Sequence, residues 1–278
     1  MLSLQTNSLS LFAQNAMTVN QQNVATDVQQ LSSGYRINTA ANDPAGLQDA
    51  TLMQAQVNGL NQGVMNANDA ASMAQTASGA LTSVVNMLQQ MRTLAVEANN
   101  STTNTSDVTN LNSEFQALAT QIGNVISQTQ FNGQTLFGAS ATNTTMTFQV
   151  GANAADTITL NTRSGSLNSG DALASVTATT LSTTNAGTTI GNIDAALGEV
   201  LGVEANWGAG QIQAQQAASV AQVNSMNLAS ARSQIIDTNY AQASSALSQA
   251  QVVQQASATM LTQANTLPQT VLTLLKNF

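Results

Sequence analysis

A seam of apolar side chains sets the strongest limit on what this chain can fold into. Taken from Ala243 at alternating steps of three and four, it runs Ala246, Ala250, Val253, Ser257, Met260, Ala264, Leu267, Val271, Leu274 and Phe278, with Ser257 its single polar member. A 3–4 repeat is the coiled-coil period, so residues 243–278 are expected to form a helix that needs a partner along its length. Ends of chains are usually frayed and polar. An end this apolar calls for something to bury it, and the opposite end offers a first match. Leu9, Phe12, Ala16 and Val19 keep the same rhythm, and Val24, Val28 and Leu31 continue it after a one-residue drift. That stripe predicts an amphipathic helix of about 30 residues, stopped at Ser32-Ser33-Gly34 with Gly34 as its left-handed cap.

Between these ends the pattern is helical at both flanks and changes in the middle. Tyr35 to Ala41 reads as an extended connector, and Asn42-Asp43-Pro44 opens a second helix with Asp43 as N-cap and Pro44 in its first turn. From Ala67 a seam through Ala70, Ala74, Ala77, Leu81, Val84, Leu88, Met91, Ala95 and Ala98 crosses Gly79 without losing register. A polar run, Asn99 to Asn104, ends it, and Leu111 to Val125 mark a shorter returning helix. Phe131-Asn132-Gly133 reads as a turn, and the alternation of Met146, Phe148 and Val150 with Ile158 and Leu160 as a β-hairpin. Residues 163–189 are rich in Ser, Thr, Gly and Asn and read as a short loop-rich outer segment. Helix resumes near Asn192, is expected to break or kink over Gly202 to Gly210 around a buried Trp207, and then runs into the terminal seam.

Composition excludes most chemistry. There is no cysteine and no histidine, which removes disulfides, thiol nucleophiles, Ser–His–Asp triads, HExxH zinc chemistry and nearly all transition-metal sites. Glu97, Asp107, Glu114, Glu199 and Glu204 show no spacing that singles out an acid–base pair, so no enzyme activity and no cofactor are expected. Net charge is −8 with five basic residues, which disfavours nucleic acid or an anionic membrane as partner. No apolar run is long enough to span a bilayer. Met1 to Asn15 has no basic region or long apolar core, so a cleaved secretory signal is not expected.

Charged residues make up 6% of the chain, against roughly 25% in ordinary soluble proteins. Residues 1–42 carry only Asp27 and Arg36, and residues 238–278 only Lys276. Two such helices paired with each other cannot hide all their apolar surface, so the remainder is expected to go against other copies. The candidate assembly residues of the terminal helices are Leu9, Phe12, Val19, Val24, Leu31, Val253, Met260, Leu267, Val271 and Leu274. Arg36 and Arg232, with Asp43 and Asp237 near them in sequence, are candidates for a structural role at a junction between inner and middle domains.

The ordered motifs resemble bacterial flagellin. Leu31–Leu47 (LSSGYRINTAANDPAGL), Gly59–Leu81 and Met87–Asn100 are similar to its N-terminal signature, and Phe131–Phe137 to the turn before its hairpin. Ala231–Ala241 and Gln254–Leu275 resemble its C-terminal signature. The resemblance implies a mainly α fold: a long antiparallel coiled-coil bundle formed by both ends, a small β-hairpin region and the short outer segment. It divides the chain into an inner domain (1–42 and 238–278), a middle domain (43–162 and 190–237) and a variable outer stretch (163–189). It implies a filament subunit that serves swimming motility, a homo-oligomer of many copies exported unfolded through a type III channel. An export chaperone, hook-associated junction proteins and cap proteins are the implied partners. Gln90, Arg92, Leu94 and Glu114 fall on the patch that in many flagellins contacts the filament neighbour. The same patch binds the animal receptor TLR5, and the missing charge at Gln90 speaks against that recognition here. Asp43-Pro44, where Asp-Ala is commoner, also occurs in hook–filament junction proteins, which keeps such a protein as an alternative beside a cell-surface adhesion or glycan-binding homologue. The Ser/Thr content of residues 139–189 permits O-glycosylation.

Overall fold

The computed structural model describes residues 6–137, 145–161 and 172–276. Six helices dominate the described residues: α1 (Ser8–Ser33), α2 (Pro44–Ala98), α3 (Thr105–Gln128), α4 (Ala172–Thr177), α5 (Ala186–Ile236) and α6 (Tyr240–Lys276). Two antiparallel hairpins lie between α3 and α4, formed by β1 (Gln130–Phe131) with β2 (Gln134–Thr135) and by β3 (Thr145–Gln149) with β4 (Thr157–Asn161). The chain divides into two compact units, residues 1–55 with 227–278, and residues 56–226.

The unit 56–226 holds the main apolar core. Ala67, Ala70, Ala74 and Ala77 are fully buried and let α2 come close to its neighbours; from Leu81 the seam switches to larger residues, Val84, Leu88 and Met91. Phe115 and Ile122 from α3, and Ile193, Val200, Val203 and Trp207 from α5, fill the same core. Three polar contacts set the register of α2 against α5: Ser225 Oγ donates to Asn61 Oδ1, Thr82 Oγ1 to Glu204 Oε1, and Arg92 Nε to Asp194 Oδ1. Each advance along α2 from one contact to the next matches an equal retreat along α5. The antiparallel pairing therefore holds one register across the whole stretch.

Asn132 and Gly133 both take positive φ, 51° and 78°, which is the two-residue turn that a tight β1–β2 hairpin demands. In the larger hairpin Met146 pairs with Leu160 and Phe148 with Ile158, so one face alternates into the core. Two helical glycines mark where this hairpin rests. A Cβ on Gly63 would lie 2.4 Å from the Val150 carbonyl oxygen, and one on Gly210 would lie 2.2 Å from Leu160 Cδ2.

Two expectations need correcting. The glycines between Gly202 and Gly210 do not interrupt α5, which runs unbroken from Ala186 to Ile236. Val203 and Trp207 are buried within that very stretch, and their packing outweighs the weak helix propensity of the glycines. The segment read as loop-rich contains α4, whose Leu173 and Val176 are buried, and α5 begins six residues ahead of the expected Asn192. Leu181 N and Thr179 O are held by Asn112 and Gln116 of α3. Residues 163–171 lie outside the described residues.

Candidate assembly surfaces

In the unit formed by residues 1–55 and 227–278, each connector caps the other's helix. Gly34 takes φ 75° and donates to Gln30 O, closing α1 as the sequence suggests. The last carbonyls of α1 are also reached from across the chain: Tyr240 Oη donates to Leu31 O and Thr238 Oγ1 to Gln30 O. In return Arg36 donates its backbone N–H to Ile236 O and its Nη2 to Ile235 O. A cation thus sits on the C-terminal carbonyls of α5, where the helix dipole is negative. Asp43 Oδ1 accepts from Gly46 N and caps α2, and Asp237 Oδ2 accepts from Ser233 Oγ. Neither acid pairs with Arg36 or Arg232 in the described structure. Ile37, Ala50 and Ile236 form a small apolar cluster beneath these contacts.

Among the described residues, the pairing of α1 with α6 buries only alanines of the apolar seam and not its large members. Its buried residues are small or polar: Ser10, Asn20, Ala243, Ala250 and Ala264. Asn20 Nδ2 donates to Ala250 O, Asn7 Nδ2 to Ala264 O, and Ser10 Oγ to Asn265 Oδ1, each at 2.8 Å. The Asn7 bond has a specific cause. Pro268 lies inside α6 and has no N–H to give to the carbonyl four residues earlier, Ala264. Asn7 supplies the missing donor, while its Oδ1 caps α1 by accepting from Ser10 N.

The large apolar residues are left outside. Phe12 is 74% exposed and Met260 62%, and Leu9, Val19 and Val253 are also exposed. Val24, Leu31 and Leu267 are half-buried. Leu9, Phe12 and Ala16 from α1 and Val253, Met260 and Leu267 from α6 line an open apolar groove of about 450 Å³. Val271 and Leu274 fall within α6, but their side chains lie outside the described residues.

The second candidate patch is partly closed from within. Leu94 turns into the core with Met91, Ala95 and Ala98, because it lies on the inward row of α2 and not on the outer one. Gln90, Arg92 and Glu114 are exposed. Arg92 is bound to Asp194 of α5 through Nε at 2.7 Å and Nη2 at 3.4 Å. The hydrogen bond from Arg92 holds the Asp194 carboxyl below the usual range, and the same bond raises the arginine.

Sequence reasoning passed over Asn7, Ser10, Asn20 and Asp194. One of them left a trace: Pro268 within a helical pattern implies an orphaned carbonyl at Ala264, which Asn7 meets.

Residues 4–142 match the bacterial flagellin N-terminal helical region, and residues 190–275 the bacterial flagellin C-terminal helical region. A flagellin of Halalkalibacterium halodurans is 39% identical over 250 residues, covering 90% of each chain. The chain belongs to the bacterial flagellin family. A flagellin of Salmonella rubislaw is 44% identical over 155 residues, 56% of this chain and 31% of its own length. One of Escherichia coli is 42% identical over 157 residues, again 31% of its length. The chain thus spans about a third of these longer flagellins. The crystal structure of Bacillus cereus flagellin aligns with 56% of this chain and 88% of its own, at 28% identity and a TM-score of 0.48. Flagellins are structural filament proteins and not enzymes.

Proposed function

We propose that this flagellin-family chain is the filament subunit of a bacterial flagellum, polymerising into a helical tube outside the cell and serving swimming motility. One observation carries the reading. The helices α1 and α6 pair through small and polar residues and leave Leu9, Phe12, Val253 and Met260 exposed around an apolar groove. Burying side chains of this size is worth about 1.5–3 kcal/mol each, and copies of the same surface recover that energy when they stack. Leu9, Phe12, Val19, Val24, Leu31, Val253, Met260, Leu267, Val271 and Leu274 are the inner contact set, and exposed Gln90, Arg92 and Glu114 a second one. Type III export, a dedicated chaperone, and junction and cap proteins belong to this reading through the family. Salt-induced polymerisation of the purified chain followed by electron microscopy tests it. Long helical tubes are expected. Monodisperse particles would overturn the filament assignment in favour of a hook–filament junction protein or an adhesion homologue.

A further inference from the structure

Among the described arginines, Arg232 is the one with no hydrogen-bond or ion-pair partner. Arg36 donates to Ile235 O and Arg92 to Asp194. Arg232 instead lies with its guanidinium carbon 5.7 Å from the centre of the Tyr35 ring, and its Nε is shielded from solvent without a hydrogen-bond partner. A guanidinium carries five N–H donors in a planar fork. Stacking on an aromatic face offsets part of its desolvation but satisfies none of those donors. The acid nearest to it in sequence, Asp237, is already engaged on Ser233 Oγ.

Arg232 lines a cleft of about 230 Å³. Ile37, Leu47, Ala50 and Ile236 give the cleft a mainly apolar lining, with Asn38, Thr51 and Gln54 as its polar members and Tyr35 beside the arginine. An apolar lining beside a planar cation fits a carboxylate on a short aliphatic stem, bound by two parallel N–H···O bonds. That is a glutamate side chain. The chain itself is rich in carboxylates, with 13 acidic residues against five basic. Glu97 and Glu114 are exposed, and neither side chain has a hydrogen bond or ion pair in the described structure.

We infer that the Arg232 cleft is a receptor for a glutamate carboxylate of a second copy of this chain, Glu97 or Glu114. The inference rests on the filament reading and deepens it. The cleft and the glutamates are different surfaces, so the contact is head-to-tail. A head-to-tail contact that does not close on itself propagates as an open helix.

The test compares critical concentrations for polymerisation. Wild type must polymerise first, and its failure would count against the filament reading and not against the cleft. Arg232→Gln is expected to raise the critical concentration about tenfold, with monomer helicity by circular dichroism unchanged. Arg232→Glu should be worse, and Glu97→Lys or Glu114→Lys added to it should restore assembly by returning opposite charges to the contact. If Arg232→Gln also lowers monomer helicity, the charge-swap rescue decides. An unchanged critical concentration in a folded Arg232→Gln variant overturns the inference, and so does failure of both lysine variants to rescue Arg232→Glu.

Discussion

Replacing Gly63 and Gly79 by alanine makes the same chemical change twice in one helix, and the structure assigns the two opposite signs. In an exposed helix interior the change stabilises by about 0.8–1.0 kcal/mol, because alanine loses less backbone freedom on folding. Gly79 is such a site, with nothing within 4 Å of its added Cβ. At Gly63 the new Cβ would stand 2.4 Å from Val150 O and 2.5 Å from Val150 C, both backbone atoms. Reaching ordinary contact needs a shift of about 1 Å in the hairpin, and overpacking of this kind costs about 1–3 kcal/mol. The shift also strains the bond from Asn66 Nδ2 to Gln149 O, 2.8 Å long, whose loss adds about 1 kcal/mol. Net of the propensity gain, Gly63→Ala should destabilise by about 1–3 kcal/mol, a fall of several degrees in Tm for a unit of this size. Trp207 is the only tryptophan. It is 1% exposed and set edge-on to Phe137, so its fluorescence during urea unfolding reports this unit directly. A Gly63→Ala protein as stable as wild type, or stabilised as Gly79→Ala is, would refute the claim that the hairpin backbone rests on α2 at Gly63.

Asn7→Ala should cost about 1–2 kcal/mol through the lost cap and the orphaned Ala264 carbonyl. In a Pro268→Ala background, where the helix can satisfy that carbonyl itself, about half of the cost should vanish, and a double-mutant cycle on thermal unfolding reads the coupling. Phe12→Asp should abolish tube formation seen by electron microscopy while leaving monomer unfolding followed at Trp207 within about 0.5 kcal/mol of wild type, since Phe12 is 74% exposed. Asp194 lies below its ordinary value of 3.8 through the hydrogen bond from Arg92, so its contribution to stability is present above that value and lost as pH falls through the lowered folded one. Melting temperatures of wild type and Asp194→Asn, followed from neutral pH downward, should differ at neutral pH and converge in acid.

Period and punctuation made much of the fold legible from the residues alone. The α2 seam from Ala67 to Ala98, the Asp43-Pro44 start, the Gly34 stop and the Met146–Val150 hairpin all rest on local rules, and the described residues obey those rules. What escaped depended on contacts far apart in sequence. The glycines of α5 look like breakers until Trp207 and Val203 are seen packed around them. Leu94 shares an apolar character with exposed seam residues elsewhere, and only its place on the inward row of α2 separates it from Arg92 two residues away. Asp194 is one acid among thirteen until α5 sets it opposite Arg92.

The two long pairings in this chain use opposite chemistry, and the difference carries the functional argument. Between α2 and α5, in the unit 56–226, large apolar residues go inside and three polar contacts fix the register. Most of the hydrophobic free energy available there is realised within one chain. Between α1 and α6 the inside holds Ser10, Asn20 and alanines, and the amides of Asn7 and Asn20 fix the register. Buried amide-to-carbonyl bonds give little net stability, about 1 kcal/mol each, but a slipped register would leave them unsatisfied at greater cost. Such a pairing is specific without being strong. It aligns Leu9, Phe12 and Ala16 beside Val253, Met260 and Leu267, and it leaves their burial to be completed by something else. Had Leu9, Phe12, Val253 and Met260 met each other instead, the helices would gain stability as a pair and lose that exposed apolar surface. On the filament reading proposed above, the polar residues at these apolar ends leave Leu9, Phe12, Val253 and Met260 free for contacts between chains.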